Sequence, residues 1–158
     1  MRWIALLGLV LLLAGCGGSK SSDKGSTLKL AGSKLGQILV DGKGRTLYLF
    51  EADKNGQSAC TGACAATWPP LTASSPSAGS GLDNAALSTT KRPDGTQQVT
   101  YHGHPLYYYA GDGTSPGSTR GENLNTFGGV WYAVDGTGKA VQPASSGEMG
   151  SGSGGYGY

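Results

Sequence analysis

Two pairs of side chains in this sequence carry groups that could bind a metal or exchange electrons. Three residues separate Cys60 from Cys64, and one separates His102 from His104. In an oxidising compartment an even pair of cysteines is expected to form a disulfide, and a loop this short would contribute about 2 kcal/mol to the free energy of unfolding. Two thiolates at this spacing could instead converge on a copper ion or take part in redox catalysis. The covalent haem signature is absent, because no histidine follows Cys64 directly.

The two histidines extend the metal hypothesis. In a strand, His102 and His104 would point to the same face of a sheet. Together with Cys60 and Cys64 they would supply four ligands of the kind that copper accepts. The alternative is a solvent-exposed hairpin tip. We therefore expect no cofactor and keep copper as the alternative.

Hydrolytic chemistry has little support in the sequence. No Gly-x-Ser-x-Gly nucleophile elbow stands between a strand and a helix. Glu51 and Asp53 lie two apart on a predicted turn, and the chain has few histidines and no cluster of acids for general acid–base work. We expect a protein without catalytic residues.

The N-terminus has the order of an export signal. Arg2 supplies a positive charge, residues 3–13 form an apolar run too short to span a bilayer comfortably, and Leu13-Ala14-Gly15 leads to Cys16. This segment resembles the lipobox of bacterial lipoproteins, in which the cysteine thiol is alkylated by a diacylglycerol. We predict a signal peptide over residues 1–15 and an acylated Cys16 that binds membrane lipid, because two or more acyl chains give stable anchoring. The protein would face the extracytoplasmic side of the cell membrane.

Composition excludes several classes of protein and favours strands. The 158 residues include 12 Lys and Arg against 10 Asp and Glu, so there is no basic excess for nucleic-acid binding. A polytopic membrane protein is excluded because the first fifteen or so residues hold the only long apolar run. The 29 glycines argue against long helices, since each interior glycine costs a helix roughly 1 kcal/mol relative to alanine. We expect an all-β fold.

The chain divides into a folded centre and two polar ends. Residues 16–27 and 143–158 are rich in Gly and Ser without apolar periodicity, which predicts a disordered tether and a disordered tail. Residues 28–142 are enough for one small domain. Within it we place a first repeat over about 28–73 and a second over about 90–142, joined through a Ser-, Ala- and Pro-rich connection.

The two halves share one order of features. In each, a β-rich run meets a glycine turn, a second run ends in aromatic-x-aromatic-x-x-Asp, and a tryptophan follows 15 or 19 residues later. These residues are Tyr48, Phe50, Asp53 and Trp68 in the first half, and Tyr107, Tyr109, Asp112 and Trp131 in the second. The order predicts two pseudo-equivalent repeats of short antiparallel strands, packed on each other as one sandwich- or barrel-like domain.

The first motif reads as a strand that is buried on both faces. Residues 47–50 are all apolar or aromatic, so Tyr48 and Phe50 would face one layer of the core and their neighbours another. The Asp-Gly and Lys-Gly pairs before it predict a hairpin of residues 38–40 with residues 46–50. Asp53, just past the strand, would accept backbone N–H bonds from the following turn. A cation or ligand bound at the two pseudosymmetric aspartates is the alternative.

The paired motif resembles that of a known group of predicted lipoproteins. The Tyr-x-aromatic-x-x-Asp pattern is similar to the Y-x-[FWY]-x-x-D motif of the family called "secreted repeat of unknown function", common in actinobacteria. Residues 60–71 and 127–132 also resemble segments typical of that family. The resemblance implies a lipoprotein, a tandem repeat and a surface location, and it implies no catalytic residues.

A run of three tyrosines suggests one possible binding surface. Tyr107, Tyr108 and Tyr109, with Tyr101 and residues 131–132 nearby, could form a stacking platform for sugars or quinones. Core packing is the alternative for most of them, and Tyr108, which leans opposite to its neighbours, is the candidate for exposure. The expected function is a noncatalytic binding or structural module with an envelope protein or glycan as partner. The alternative is a copper-binding or redox-associated lipoprotein.

Overall fold

The computed structural model describes residues 26–141. The predicted signal peptide, Cys16 and the tail over residues 143–158 lie outside the described residues, as does nearly all of the tether. The described part is all-β, as predicted, with one short α-helix and two 3₁₀ turns, Asn84–Ala86 and Ala110–Asp112. Its elements are β1 (Thr27–Ser33), β2 (Gly36–Val40), β3 (Tyr48–Phe50), α1 (Ala63–Thr67), β4 (Ser77–Ala78), β5 (Leu87–Lys91), β6 (Gln97–Tyr101), β7 (His104–Pro105), β8 (Leu124–Thr126) and β9 (Gly129–Ala133).

These strands form three small sheets, ordered β2-β1-β4, β3-β9-β8 and β5-β6-β7. Each repeat opens with an antiparallel hairpin, β1–β2 in the first and β5–β6 in the second. No helix within residues 26–141 is long and apolar enough to cross a membrane.

The motif segments of the two repeats are paired with each other. The backbone N–H of Tyr48 donates to the carbonyl of Tyr107 over 2.9 Å, and the reverse bond is 3.0 Å. On its other side β3 pairs with β9, so the tryptophan strand of the second repeat lies beside the motif strand of the first. The motif segment of the second repeat likewise pairs with the residues that follow Trp68 in the first. Tyr108 N–H donates to Pro69 O over 2.8 Å, and Leu71 N–H donates to Leu106 O over 2.9 Å. Each repeat thus completes the other's sheet.

The core has two layers, with β3 between them. Tyr48 and Phe50 face a layer that contains both core tryptophans and the two cysteines. Leu47 and Leu49 face a second, mostly aliphatic layer. The alternation predicted for this strand is therefore confirmed.

The predicted hairpin of residues 38–40 with residues 46–50 forms at its closed end but does not extend to residues 48–50, which pair with β9. The main ladder partner of β2 is β1, and the segment before β3 joins β2 through the Val40–Thr46 bridge and the flanking Leu47 N–H to Leu39 O bond of 3.0 Å. Strand β1 begins at Thr27, inside the predicted tether, because Thr27 pairs with Ser77. That residue belongs to β4, which lies in the connection predicted between the repeats.

The turn between β8 and β9 has an unusual residue. Phe127 adopts a φ of +58° and Gly128 a φ of +88°, as in a type I′ hairpin turn, for which Asn-Gly is the favoured pair. A left-handed conformation costs an ordinary L-residue roughly 1–2 kcal/mol. Phe127 is also 48% exposed, the highest exposure among the large hydrophobic residues that the structure describes. Phe127 therefore contributes little to the stability of the fold.

We expect Phe127→Asn to stabilise the protein. Asparagine tolerates φ above zero better than phenylalanine, so the substitution should raise the free energy of unfolding by about 0.5–1 kcal/mol. Urea denaturation of the two proteins measures the difference. Phe127→Val is the matched control, because a β-branched residue at positive φ should lower stability instead.

Candidate functional site

Four aromatic rings of the two motifs form one continuous stack. Phe50 lies on Trp131 with ring centroids 4.0 Å apart and an interplanar angle of 8°. Trp131 lies on Trp68 at 3.9 Å and 3°, and Trp68 lies on Tyr109 at 4.4 Å and 33°. Each of the three contacts joins one repeat to the other. The stack is therefore an interface between repeats.

The first tyrosine of each motif meets the stack edge-on. Tyr48 lies 5.5 Å from Trp68 at 78°, and Tyr107 lies 5.1 Å from Trp131 at 86°. All four of these side chains have zero exposed surface. Edge-to-face and stacked pairs each contribute about 0.5–1.5 kcal/mol beyond their buried area. The motif aromatics thus form the centre of the core.

The tyrosine hydroxyls reach across the repeat boundary to the motif aspartates. Tyr48 Oη donates to Asp112 Oδ2 over 2.5 Å, and Tyr107 Oη donates to Asp53 Oδ2 over 2.8 Å. Within each repeat, the tyrosine and the aspartate of one motif are therefore bonded to the other motif and not to each other. The two Y-x-[FWY]-x-x-D motifs are thus joined by two crossed hydrogen bonds, Tyr48 to Asp112 and Tyr107 to Asp53, which together with the aromatic stack form a reciprocal interlock of the repeats.

Each aspartate also accepts hydrogen bonds from the loop that follows it in its own repeat. Asp53 Oδ1 accepts the backbone N–H of Ala59 over 2.7 Å. Asp112 Oδ1 accepts the backbone N–H of Arg120 over 2.9 Å and the hydroxyl of Ser118 over 2.8 Å. The predicted carboxylate-to-backbone bond is present, but its donor lies six or eight residues further along the chain and not in the adjacent turn. Both oxygens of each carboxylate are occupied.

Burial shifts the titration of these groups. It raises the pKa of Asp53, although the Ala59 N–H, the Tyr107 hydroxyl and the positive charge of Arg92 act in the opposite direction. Burial is also the largest reason why the pKa of Tyr48 and that of Tyr107 lie far above the ordinary phenol value, and the adjacent carboxylates raise both further. Both phenols therefore keep their protons near neutral pH.

These shifts predict how stability depends on alkaline pH. Because the folded pKa of Tyr48 and Tyr107 lies above the unfolded value of about 10, their contribution is present below that value and is lost as pH rises through the folded pKa. The free energy of unfolding should therefore fall above about pH 10. In an ultraviolet titration, Tyr48 and Tyr107 should form tyrosinate only as the protein unfolds. Ionisation of all tyrosines in one early step would contradict the burial.

The predicted disulfide is confirmed. Cys60 and Cys64 are bonded, with their Cα atoms 5.2 Å apart, and both side chains lie in the tryptophan layer of the core. The bridge spans the start of α1, whose C-terminal residue precedes Trp68. It fixes the loop that delivers Trp68 to the stack.

Removing this bridge should have a moderate effect. The double variant Cys60→Ser/Cys64→Ser should lose about 2 kcal/mol of unfolding free energy, the value for a loop this short. Urea denaturation of both proteins under oxidising conditions measures it, and the parent under reducing conditions should show a similar loss. An unchanged midpoint would mean that the loop is held by its other contacts.

A buried arginine supports the same loop, and sequence reasoning missed it. Arg92 is 5% exposed. Its guanidinium donates to Ser58 Oγ over 2.8 Å, to Gln98 Oε1 over 2.6 Å and to the carbonyl of Cys60 over 2.7 Å. A single buried cation carries no periodic signal in a sequence, so only the fold reveals it.

A family model described as "Secreted repeat of unknown function" matches residues 29–72 and 88–135. The chain belongs to this family. The two matched segments coincide with the two interlocked repeats, which supports the tandem organisation predicted from the motifs. No curated protein and no solved structure matches the chain.

In this secreted-repeat protein the candidate metal ligands are not brought together. Within the described chain, no three or more His, Cys, Asp or Glu side chains are placed to hold a metal ion. His102 is exposed in a turn with φ +48° and lies against the Tyr101 ring, while His104 is exposed on β7. Cys60 and Cys64 are buried in their disulfide. The copper alternative therefore finds no support.

The tyrosine run does not form an exposed platform in this secreted-repeat protein. Tyr101 and Tyr107 are fully buried. Tyr108 does lean opposite to its neighbours, into the aliphatic layer, but it is half-buried and not exposed. Its hydroxyl donates to Asp41 Oδ2 over 3.0 Å, and the Arg45 guanidinium lies 3.9 Å from its ring centroid. Its role is to hold the β2–β3 loop.

Proposed function

We propose that this chain is a lipid-anchored, extracytoplasmic module of the cell envelope that acts by binding or by structural support, without catalysis. The observation that carries the proposal is the reciprocal interlock. The eight motif residues, which are the most distinctive chemistry in the sequence, all contact the other repeat: Tyr48, Phe50, Asp53, Trp68, Tyr107, Tyr109, Asp112 and Trp131.

Catalysis needs a reactive group that is free to meet a substrate in a cavity. Here Asp53 and Asp112 have both oxygens occupied by donors from the protein itself. The Tyr48 and Tyr107 hydroxyls donate their hydrogen bonds to those same carboxylates. The motif is therefore expected to act through stability.

This expectation can be tested in cells that lack the native protein. Asp53→Asn and Asp112→Asn should reduce function only as far as they reduce the amount of folded protein. Quantitative immunoblotting of the membrane fraction beside a growth or envelope-integrity assay separates the two quantities. A variant that is folded at the parent level but inactive would contradict the noncatalytic proposal.

The anchor is supported by the order of residues before Cys16 and by the secreted character of the family. Metabolic labelling with an alkyne fatty acid tests it. The parent should be labelled and sediment with membranes, and Cys16→Ser should lose the label and the sedimentation. Cys60→Ser/Cys64→Ser is the matched control and should stay labelled. An unlabelled parent would contradict the anchor.

A further inference from the structure

One exposed feature is left unexplained by the interlock: the tip of the β8–β9 hairpin. Phe127 is at once half-exposed and in a left-handed backbone conformation. A strained residue that contributes little to its own fold is a reason to look for a role outside the fold. At the next residue, Gly128, no atom beyond the chain neighbours lies within 4 Å of where a Cβ would be, so there is open space beside the turn.

The core holds this tip in place. The indole N–H of Trp131 donates to the carbonyl of Thr126 over 3.2 Å, and Asn123 N–H donates to the carbonyl of Trp131 over 2.8 Å. Trp131, in the central stack, thus holds β8 near both of its ends. The ring of Phe127 is presented on a rigid support, which lowers the entropy lost when the ring binds.

The tip is also free of charge. Residues 123–130 contain no Asp, Glu, Lys or Arg, and the side chains beside Phe127 include the exposed Asn125 and Thr126. Burying a charged side chain in a bilayer is costly, so an uncharged tip can enter the interfacial region without that penalty. Amide and hydroxyl groups beside the ring can meet headgroups.

We propose that the β8–β9 tip inserts the Phe127 ring into the interfacial region of the membrane to which the protein is anchored. One ring buries too little area to offset the entropy lost when two free molecules associate. A protein already attached to the surface loses far less, because the second contact is intramolecular. The inference therefore rests on the anchor of the proposed function.

The lengths of two chain segments bear on this contact. Ten residues, 17–26, separate Cys16 from β1, and a chain of that length spans at most about 35 Å. From Thr46, beside β2, to Ala52, beside Gly129 at the base of the tip, the chain extends at most about 20 Å. The tether can therefore span more than this part of the path from β1 to the tip.

The test attaches residues 16–158 to vesicles without relying on cellular acylation. Cys16 is coupled to a maleimide-headed phospholipid in phosphatidylcholine–phosphatidylglycerol vesicles, while Cys60 and Cys64 are protected by their disulfide. The fluorescence of the tryptophan in Phe127→Trp reports whether the tip contacts lipid. Lys91→Trp, at an exposed position of another sheet, is the matched control. The native Trp68 and Trp131 are fully buried and provide a constant background.

Lipids brominated on their acyl chains should quench most of the emission added by Phe127→Trp and none of that added by Lys91→Trp. Equal emission with and without brominated lipid at position 127 would overturn the proposal. In hydrogen exchange, the amides of residues 123–130 should be slower in the coupled parent than in the uncoupled one. This slowing should be lost in Phe127→Asn, and its persistence there would also overturn the proposal. The coupling is chemical, so failure here is distinct from failure of the fatty-acid labelling.

Discussion

Trp131→Ala is expected to unfold most of the protein or leave it with little stability. Replacing a buried tryptophan by alanine typically removes about 3–5 kcal/mol, and a small domain has only about 5–15 kcal/mol in total. Trp131 should lie at the upper end, because it is stacked on both sides, by Phe50 and Trp68, and also meets the edge of Tyr107. Urea denaturation or a thermal melt measures the loss.

Two comparisons make the tryptophan result specific. Trp68→Ala should cost a similar amount, because it occupies the equivalent place between Trp131 and Tyr109. Phe127→Ala removes an exposed ring and should change stability by no more than about 0.5 kcal/mol. A loss below about 1 kcal/mol for either tryptophan would contradict the central stack, since it would fall outside the range for buried aromatic residues.

Tyr107→Phe and Tyr48→Phe should each cost about 1.5–3 kcal/mol, although each removes a single oxygen atom. Each substitution leaves one oxygen of a partly buried carboxylate, on Asp53 or Asp112, without its donor. The ring itself stays, so the packing against the tryptophans is kept. Tyr132→Phe, at a half-exposed tyrosine, is the matched control and should have little effect.

Double-mutant cycles identify which aspartate is the partner of Tyr107. Tyr107→Phe combined with Asp53→Asn should give a coupling energy of about 1 kcal/mol or more, whereas Tyr107→Phe combined with Asp112→Asn should be nearly additive. If Tyr107 were coupled to Asp112 and not to Asp53, the hydrogen bonds would lie within each motif and the interlock would be contradicted.

The sequence revealed the repeats because their signal is local. Residue type alternates along 47–50, and one order of residues recurs, which is enough to predict strands, a two-layer position and a duplicated domain. The disulfide could be predicted for a similar reason, since Cys60 and Cys64 are close along the chain. The family resemblance followed from the same residues and is confirmed by both matched segments.

The exchange between repeats could not be predicted in this way. Tyr48 and Asp112 are 64 residues apart, and nothing in one sequence indicates that a tyrosine will choose the distant aspartate over Asp53 five residues away. The β1–β2 hairpin was missed because the Asp-Gly and Lys-Gly pairs after residue 40 favoured pairing of residues 38–40 with the segment that follows them. Phe127 gave no signal, since an aromatic residue before two glycines is ordinary until its φ is known.

Because the two repeats share one core, neither repeat should be able to form that core alone. Dividing the chain between Ser80 and Gly81 gives two fragments, 16–80 and 81–158, and near-ultraviolet circular dichroism of each reports the environment of its own tryptophan. We predict no native signal and no cooperative unfolding from either fragment, and recovery of the parent spectrum when the two are mixed. A native spectrum and cooperative unfolding from a single fragment would contradict the interlock.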